Sequence, residues 1–289
     1  MLSVLRNEYG KLFKTKTFWV ILALLTAITT AVAVTRSLDT VNSVGGIAPS
    51  APKADNGYFL EDNSVFAMSL FNNWIGALSG DLFFTTVFYF LLPLSAALPF
   101  SFSLLDENRS GYLRQMTLKK GQLRYYMAKY IVTFCSGCLV AVVPILINLI
   151  ITACYLPAST PDPLEQLYSN QPYGMYLSHI YHSRPFLFIA IFVALPGVFC
   201  GLWATLALCI SLFVPNKYIV VIAPYLFLFF EMAFFDALFA NRINLELSPF
   251  YFIRGSAAGD IGIVIGVLLV MFITGFIIVR LRGKKDDVY

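Results

Sequence analysis

Six long apolar runs constrain the fold of this chain more than any other feature of its sequence. The hydrocarbon core of a bilayer is roughly 30 Å thick, and about 20 apolar residues in a helix cross it. Of the 289 residues, 58% are hydrophobic and 12% are charged, whereas soluble domains carry about 25% charged residues. The sequence therefore predicts an all-α integral membrane protein with six transmembrane helices. The predicted spans are 17–34, 83–105, 130–156, 186–214, 219–240 and 261–279.

The basic residues predict how these spans are oriented. With the N-terminus inside the cell, all but five of the 20 Lys and Arg residues fall in inner segments, the exceptions being Arg36, Lys53, Arg184, Arg242 and Arg254. Inner loops of membrane proteins carry such an excess of positive charge. Both termini are therefore predicted to be cytoplasmic. Because topology explains the basic clusters, the net charge of +4 indicates no nucleic-acid partner, and membrane lipids are the expected partners.

The spans divide the chain into three parts. Residues 1–16 place apolar side chains on one helical face and predict a cytoplasmic amphipathic entry helix in the membrane interface. Residues 17–279 form the predicted transmembrane domain, with outer loops at about 35–82, 157–185 and 241–260, and 280–289 form a cytoplasmic tail. Within the first outer loop, 58–75 mix aromatic and acidic residues, which predicts an external amphipathic helix on the membrane surface.

The motifs of common enzyme sites are absent from the sequence. His179 and His182 form His-x-x-His on a predicted outer loop, without the glutamate and the i, i+4 spacing of a zinc-protease helix. No Gly-x-Ser-x-Gly elbow and no Gly-x4-Gly-Lys-Ser/Thr phosphate loop occur. We therefore predict no catalytic residues, no metal site and no ATPase site in this chain. If the function of this chain depends on ATP, another subunit must bind the nucleotide.

A polar stretch at 106–126 lies between the second and third predicted spans. It begins with two acids, passes Gly111, and continues with basic residues interspersed with apolar ones. One interpretation is a short helix that rests its apolar side on the membrane helices and contacts a soluble subunit. The alternative is a plain loop that is basic because of its topology.

Four features of this region carry a family resemblance. Glu107 stands at the exit of the second span, Gly111 follows four positions later, a hydrophobic and basic run comes next, and Lys129 opens the third span. With the entry helix, the six spans and the large first outer loop, this plan resembles the permease subunits of type-2 ABC exporters. One departure is that the proline often found before the basic pair is replaced by Thr117 or Leu118.

The resemblance implies a function and partners. Two permease subunits, identical or paralogous, would pair in a bacterial-type plasma membrane above two cytosolic ATPases that bind ATP and Mg²⁺, and would move a substrate outward. The chain itself would bind no cofactor. A membrane signalling or assembly protein that acts through its loops is the alternative. The implied ATPase-coupling residues are Glu107, Arg109, Gly111, Leu113, Arg114, Lys119 and Lys120.

Two features inside the spans suggest further roles. Glu231 lies deep in the fifth predicted span, where a charge costs roughly 2.5 kcal/mol or more. Together with Asp236 it either faces the transport path or subunit seam, or lies near the outer surface because the helix breaks early. The Gly-xxx-Gly patterns at 197–201 and 262–266 predict close approach of neighbouring helices.

Overall fold

Every secondary-structure element among the described residues is a helix. The computed structural model describes residues 2–47, 69–76, 82–161, 177–238, 252–253 and 261–285, without the side chains of 43–47, 82, 120, 231–232, 234–238 and 282–285. In chain order the helices are α1 Leu2–Lys14, α2 Lys16–Ile47, α3 Leu70–Asn73, α4 Leu82–Ala97, α5 Ser103–Arg109, α6 Tyr112–Lys120, α7 Gln122–Tyr155, α8 Ser178–Ser183, α9 Pro185–Ser211, α10 Lys217–Leu238 and α11 Ile261–Lys285.

Four helices are long and apolar enough to cross a membrane. They are Lys16–Asn42 of α2, α7, α9 and Ile261–Leu281 of α11. The two other predicted spans coincide with shorter apolar helices, Phe83–Ala97 and Lys217–Phe230. The prediction of an all-α, multi-pass membrane protein is therefore supported by four candidate spans.

Several helix ends differ from the predicted ends of the spans. The second span was predicted as one helix over 83–105, but α4 ends at Ala97 and a turn that contains Pro99 separates it from α5. Proline disfavours the helical conformation of the residue before it, which accounts for this break. Helix α2 continues to Ile47 into the predicted outer loop, and α11 continues to Lys285 into the predicted tail. Helix α1 is confirmed as a helix.

Helices α7 and α9 form the centre of the bundle and pack closely along their length. Two glycines of α9 make this approach possible. A Cβ atom at Gly201 would lie 2.9 Å from the Phe134 carbonyl oxygen of α7, and one at Gly197 would lie 2.6 Å from Val142. The predicted helix-packing role of the 197–201 pattern is confirmed. The 262–266 pattern differs, because a Cβ atom at Gly266 would meet nothing within 4 Å.

These contacts predict opposite effects for two Gly→Ala substitutions. Gly201→Ala is expected to lower the free energy of unfolding by about 1–3 kcal/mol, because the new methyl group overpacks the contact with the α7 backbone. Gly266→Ala is the matched control and is expected to be neutral or stabilising by up to about 1 kcal/mol through helix propensity. Unfolding in detergent with increasing SDS, followed by circular dichroism, measures both. Equal midpoints for the two variants would contradict this account of the α7–α9 contact.

The bundle has two distinct ends. At one end α1 packs on the beginning of α7, and Val4, Leu104, Tyr125, Leu208 and Val279 share one apolar cluster. This end therefore joins the beginnings of α1 and α7, helix α5, and the C-terminal parts of α9 and α11. We call it the α1 end. The opposite end holds the last turns of α2 and α7 together with residues 69–76.

Candidate functional site

Helix α1 buries a stripe with an acid at its centre. Val4, Glu8 and Leu12 recur every four residues and therefore lie on one face of the helix, and their exposed fractions are 2%, 0% and 0%. This face packs on α7. The entry helix is thus docked against the protein, and its buried face carries a charge that requires a partner in the core.

Four charged side chains from three helices meet at this point. We call Glu8, Lys11, Glu107 and Lys129 the charge cluster. The Lys129 Nζ atom lies 2.8 Å from Glu8 Oε2 and 2.9 Å from Glu107 Oε2. The Lys11 Nζ atom lies 2.7 Å from Glu8 Oε1 and 2.6 Å from Glu107 Oε1. Each carboxylate therefore contacts both ammonium groups, and the two positive charges balance the two negative ones.

The cluster is buried most deeply at Lys129. The side chains of Glu8 and Lys129 have no exposed surface, Glu107 is 12% exposed and Lys11 is 33% exposed. Lys129 also donates a hydrogen bond of 3.0 Å to Ser103 Oγ. Its Nζ atom lies 4.7 Å from the centre of the Phe100 ring, a favourable position for a cation. The buried ammonium group is therefore surrounded by partners on several sides.

Glu107 and Lys11, the two partly exposed members of the charge cluster, are ionised at neutral pH. Burial raises the pKa of Glu107, but the charge of Lys129 and hydrogen bonds from Lys11 and Tyr125 outweigh burial, so this pKa lies below its ordinary value of 4.5. Burial lowers the pKa of Lys11, but hydrogen bonds to Glu107 and Glu8 outweigh it, so this pKa lies above 10.5. Charge-assisted hydrogen bonds of this kind are stronger than neutral ones.

Helices α5 and α6 form a hairpin that projects from this cluster. Gly111 at the start of α6 has φ 72°, and Gly121 at its end has φ 81°. In this left-handed region a side chain costs about 1–2 kcal/mol, which explains glycine at both positions. The nine-residue helix α6 is thereby set off from both α5 and α7.

Helix α6 has an inner and an outer face. Leu113 and Met116 are partly buried against the apolar cluster of the α1 end. Leu118, by contrast, is 82% exposed, and Arg114 and Lys119 are also exposed. The outer face therefore presents one large apolar side chain between two basic residues.

The hairpin is also bound to the segment between α9 and α10. The Lys217 Nζ atom lies 2.5 Å from Asp106 Oδ1, and Arg109 donates a hydrogen bond to the Pro215 carbonyl oxygen. On its other side, Lys11 of α1 lies 4.3 Å from the centre of the Tyr112 ring. Movement of the hairpin would therefore pull on α1, α7 and the start of α10 together.

The predicted coupling residues divide into two groups. Glu107 and Leu113 face the interior of the protein, whereas Arg109, Gly111, Arg114 and Lys119 are exposed. Among the coupling residues whose side chains the structure describes, the second group is the more accessible to a soluble partner. The side chain of Lys120 lies outside the described residues, as do those of Glu231 and Asp236, whose backbone belongs to α10.

The most deeply buried acid of the site was not predicted from the sequence. Glu8 is the single acid in an otherwise basic entry segment, and it stands four residues from both Val4 and Leu12. The four-residue spacing was the sequence signal that could have placed Glu8 on the buried face of α1. Tyr125 was also missed, although its hydroxyl donates a hydrogen bond to Glu107 Oε2. His179 and His182 lie in α8, and no group of metal-ligating side chains occurs in the part of the chain that the structure describes.

Comparisons of this chain with protein-family models, with curated proteins and with solved structures give no significant match. The geometry described above is therefore the basis for a functional assignment, together with the motif resemblance in 107–129.

Proposed function

We propose that this chain is the permease subunit of an ATP-driven exporter of the type-2 ABC class, in a bacterial-type plasma membrane. Two such subunits, identical or paralogous, would pair above two cytosolic ATPases and move a substrate outward. ATP and Mg²⁺ would bind to the ATPases. In this proposal the shorter apolar helices Phe83–Ala97 and Lys217–Phe230 complete a set of six spans, and both termini are cytoplasmic.

The observation that carries the proposal is the outer face of α6. An exposed leucine flanked by Arg114 and Lys119 suits a protein partner, because an apolar anchor with a polar rim is the usual composition of an interface centre. The α1 end holds many of the basic residues that the positive-inside rule assigns to the cytosol. A soluble partner that docks on α6 would therefore approach from the cytosol.

The charge cluster supports mechanical coupling through this helix. A partner that pushes on α6 would act on α5, and α5 is bound to α1 and α7 through Glu107. The ion pairs Lys11–Glu107 and Lys129–Glu107 would transmit the displacement into the candidate spans. ATP binding would then shift a two-state equilibrium of the membrane helices by favouring one arrangement. Glu231 and Asp236 of α10 are the candidate carboxylates of the transport path.

The direct test is co-purification of the tagged full-length chain from its native membranes. A cytosolic ATPase should copurify, and its ATP hydrolysis should increase when this subunit is reconstituted with it in lipid vesicles. An ATPase that neither copurifies nor responds to the subunit would contradict the proposal and favour the signalling or assembly alternative.

The proposed topology predicts which cysteines are accessible from outside the cell. Ser110 at the α1 end and Thr160 after α7 are both exposed, so each can report its side of the membrane. In a Cys154→Ser background, which removes an exposed native thiol, Thr160→Cys should react with an impermeant maleimide in intact cells. Ser110→Cys should react only after the cells are permeabilised. Labelling of Ser110→Cys in intact cells would contradict cytoplasmic placement of α6.

A further inference from the structure

Residues 69–76 lie inside the helix bundle, at the end opposite the charge cluster. The exposed fractions of Phe71, Trp74 and Ile75 are 1%, 0% and 1%, and the Phe71 ring contacts Phe186 of α9 edge-on. The sequence predicts that this stretch belongs to an amphipathic helix on the membrane surface. That prediction is wrong for the described part, because its aromatic residues pack against protein. Only the four residues of α3 are helical.

Side chains of the long helices satisfy the backbone of this segment. Asn148 of α7 accepts a hydrogen bond of 2.9 Å from the Ile75 amide and donates one of 2.7 Å to the Thr29 carbonyl oxygen of α2. Arg36 of α2 donates one of 3.1 Å to the Trp74 carbonyl oxygen. Irregular backbone at membrane depth is tolerated only where the protein supplies such partners.

The segment reaches far into the candidate membrane region. Thr29 is the central residue of the span Lys16–Asn42, and a single side chain, Asn148, separates it from Ile75. Asn148 itself has no exposed surface. The tip of the segment therefore lies near the middle depth of α2, where water cannot replace a lost hydrogen bond.

One feature of the tip makes its position costly. The indole N–H of Trp74 has no hydrogen-bond partner among the described residues, and an unpaired buried donor is unfavourable. In contact with water the indole N–H would regain a partner, so release of the tip would recover part of the cost of burial.

We propose that residues 69–76 form a releasable plug that closes this end of the bundle, and that Asn148 is its latch. Asn148 joins the plug to both α2 and α7, so a shift of either helix strains the Ile75 hydrogen bond. Once that bond is lost, the Ile75 amide is unpaired at depth, so the free-energy cost of releasing the segment into water falls. The role of the plug as an outer gate rests on the proposed export function, but its release can be measured without an ATPase or a substrate.

The test uses the fluorescence of Trp74 in the full-length chain. The chain has three tryptophans, so Trp19→Phe with Trp203→Phe leaves Trp74 as the reporter. In that background Asn148→Leu removes both hydrogen bonds at similar volume. We expect Trp74 emission to move to longer wavelength and its quenching by acrylamide to rise roughly fivefold or more, as for local opening of a segment. Far-UV circular dichroism should be unchanged.

Ser136→Ala is the matched control. Ser136 lies on the same helix and is equally buried, but its hydroxyl donates within α7 to the Thr133 carbonyl oxygen. Trp74 should stay protected in this variant. If Asn148→Leu is not monodisperse, Asn148→Ala replaces it, because it removes the same two hydrogen bonds with a smaller side chain. Equal quenching in the folded latch variant and the control would overturn the plug and leave the export proposal standing.

Discussion

Lys129→Met is expected to lower the free energy of unfolding by about 3–5 kcal/mol, because it leaves two carboxylates with one cation between them and an uncompensated negative charge in a buried site. Glu8 has no exposed side-chain surface and lies 2.8 Å from Lys129. After the substitution, Glu8 and Glu107 would share Lys11 alone. Unfolding by SDS titration in detergent, followed by circular dichroism, measures the loss.

Two further variants test whether the lost stability comes from the unbalanced charge or from loss of the Lys129 side chain itself. Glu8→Gln combined with Lys129→Met restores charge balance, and is expected to recover most of the lost stability, since a buried ion pair is often no better than a neutral replacement. Lys217→Met breaks the ion pair between Lys217 and Asp106, whose side chains are 40% and 50% exposed respectively. Because this pair is exposed, the substitution should lower the free energy of unfolding by only about 0–1 kcal/mol. A double variant as unstable as Lys129→Met would contradict a charge effect.

Leu118→Asp is expected to weaken binding of the proposed ATPase about tenfold or more, as for an interface anchor. Leu118 is 82% exposed, so the substitution should leave membrane insertion and thermal stability unchanged. ATPase stimulation in lipid vesicles and pull-down with the purified subunit measure the effect.

Leu113→Asp is the informative comparison, because the two leucines lie on opposite faces of α6. Leu113 packs against the apolar cluster of the α1 end, so a charge there should destabilise the chain itself. Lys14→Asp changes the charge of an exposed residue of α1 and should leave ATPase binding close to that of the parent. Full ATPase stimulation by Leu118→Asp would remove the outer face of α6 from the proposed interface.

The structure shows which contacts Glu107 makes within the chain. It was predicted to take part in ATPase coupling, and its carboxylate is shared by Lys11 and Lys129. It is thus a positioning residue that fixes the hairpin to α1 and α7. In the proposed complex, contact with the ATPase would fall to the exposed residues around Leu118. This division predicts that variants of Glu107 act through stability and variants of the exposed face of α6 act through binding.

The apolar runs of the sequence determined the helical class and the position of four candidate spans, because a run of about 20 apolar residues has a cost in water that only a membrane or a large core removes. The amphipathic pattern of 1–16 likewise predicted α1. The sequence indicated the ends of the helices less clearly than their positions. Pro99 ends the predicted second span early, and no comparable signal ends α2 before Ile47.

Only the tertiary structure decided which polar groups meet. Glu8 and Lys129 are 121 positions apart in the chain, and Asn148 contacts backbone groups of two distant segments. Composition and periodicity report how a residue relates to its own helix, whereas these pairings depend on how helices pack against each other. The sequence by itself determined that this chain is built of membrane-type helices. Packing determined where its buried charges find partners, because the desolvation of a charge is offset only by charged or hydrogen-bonding groups at contact distance.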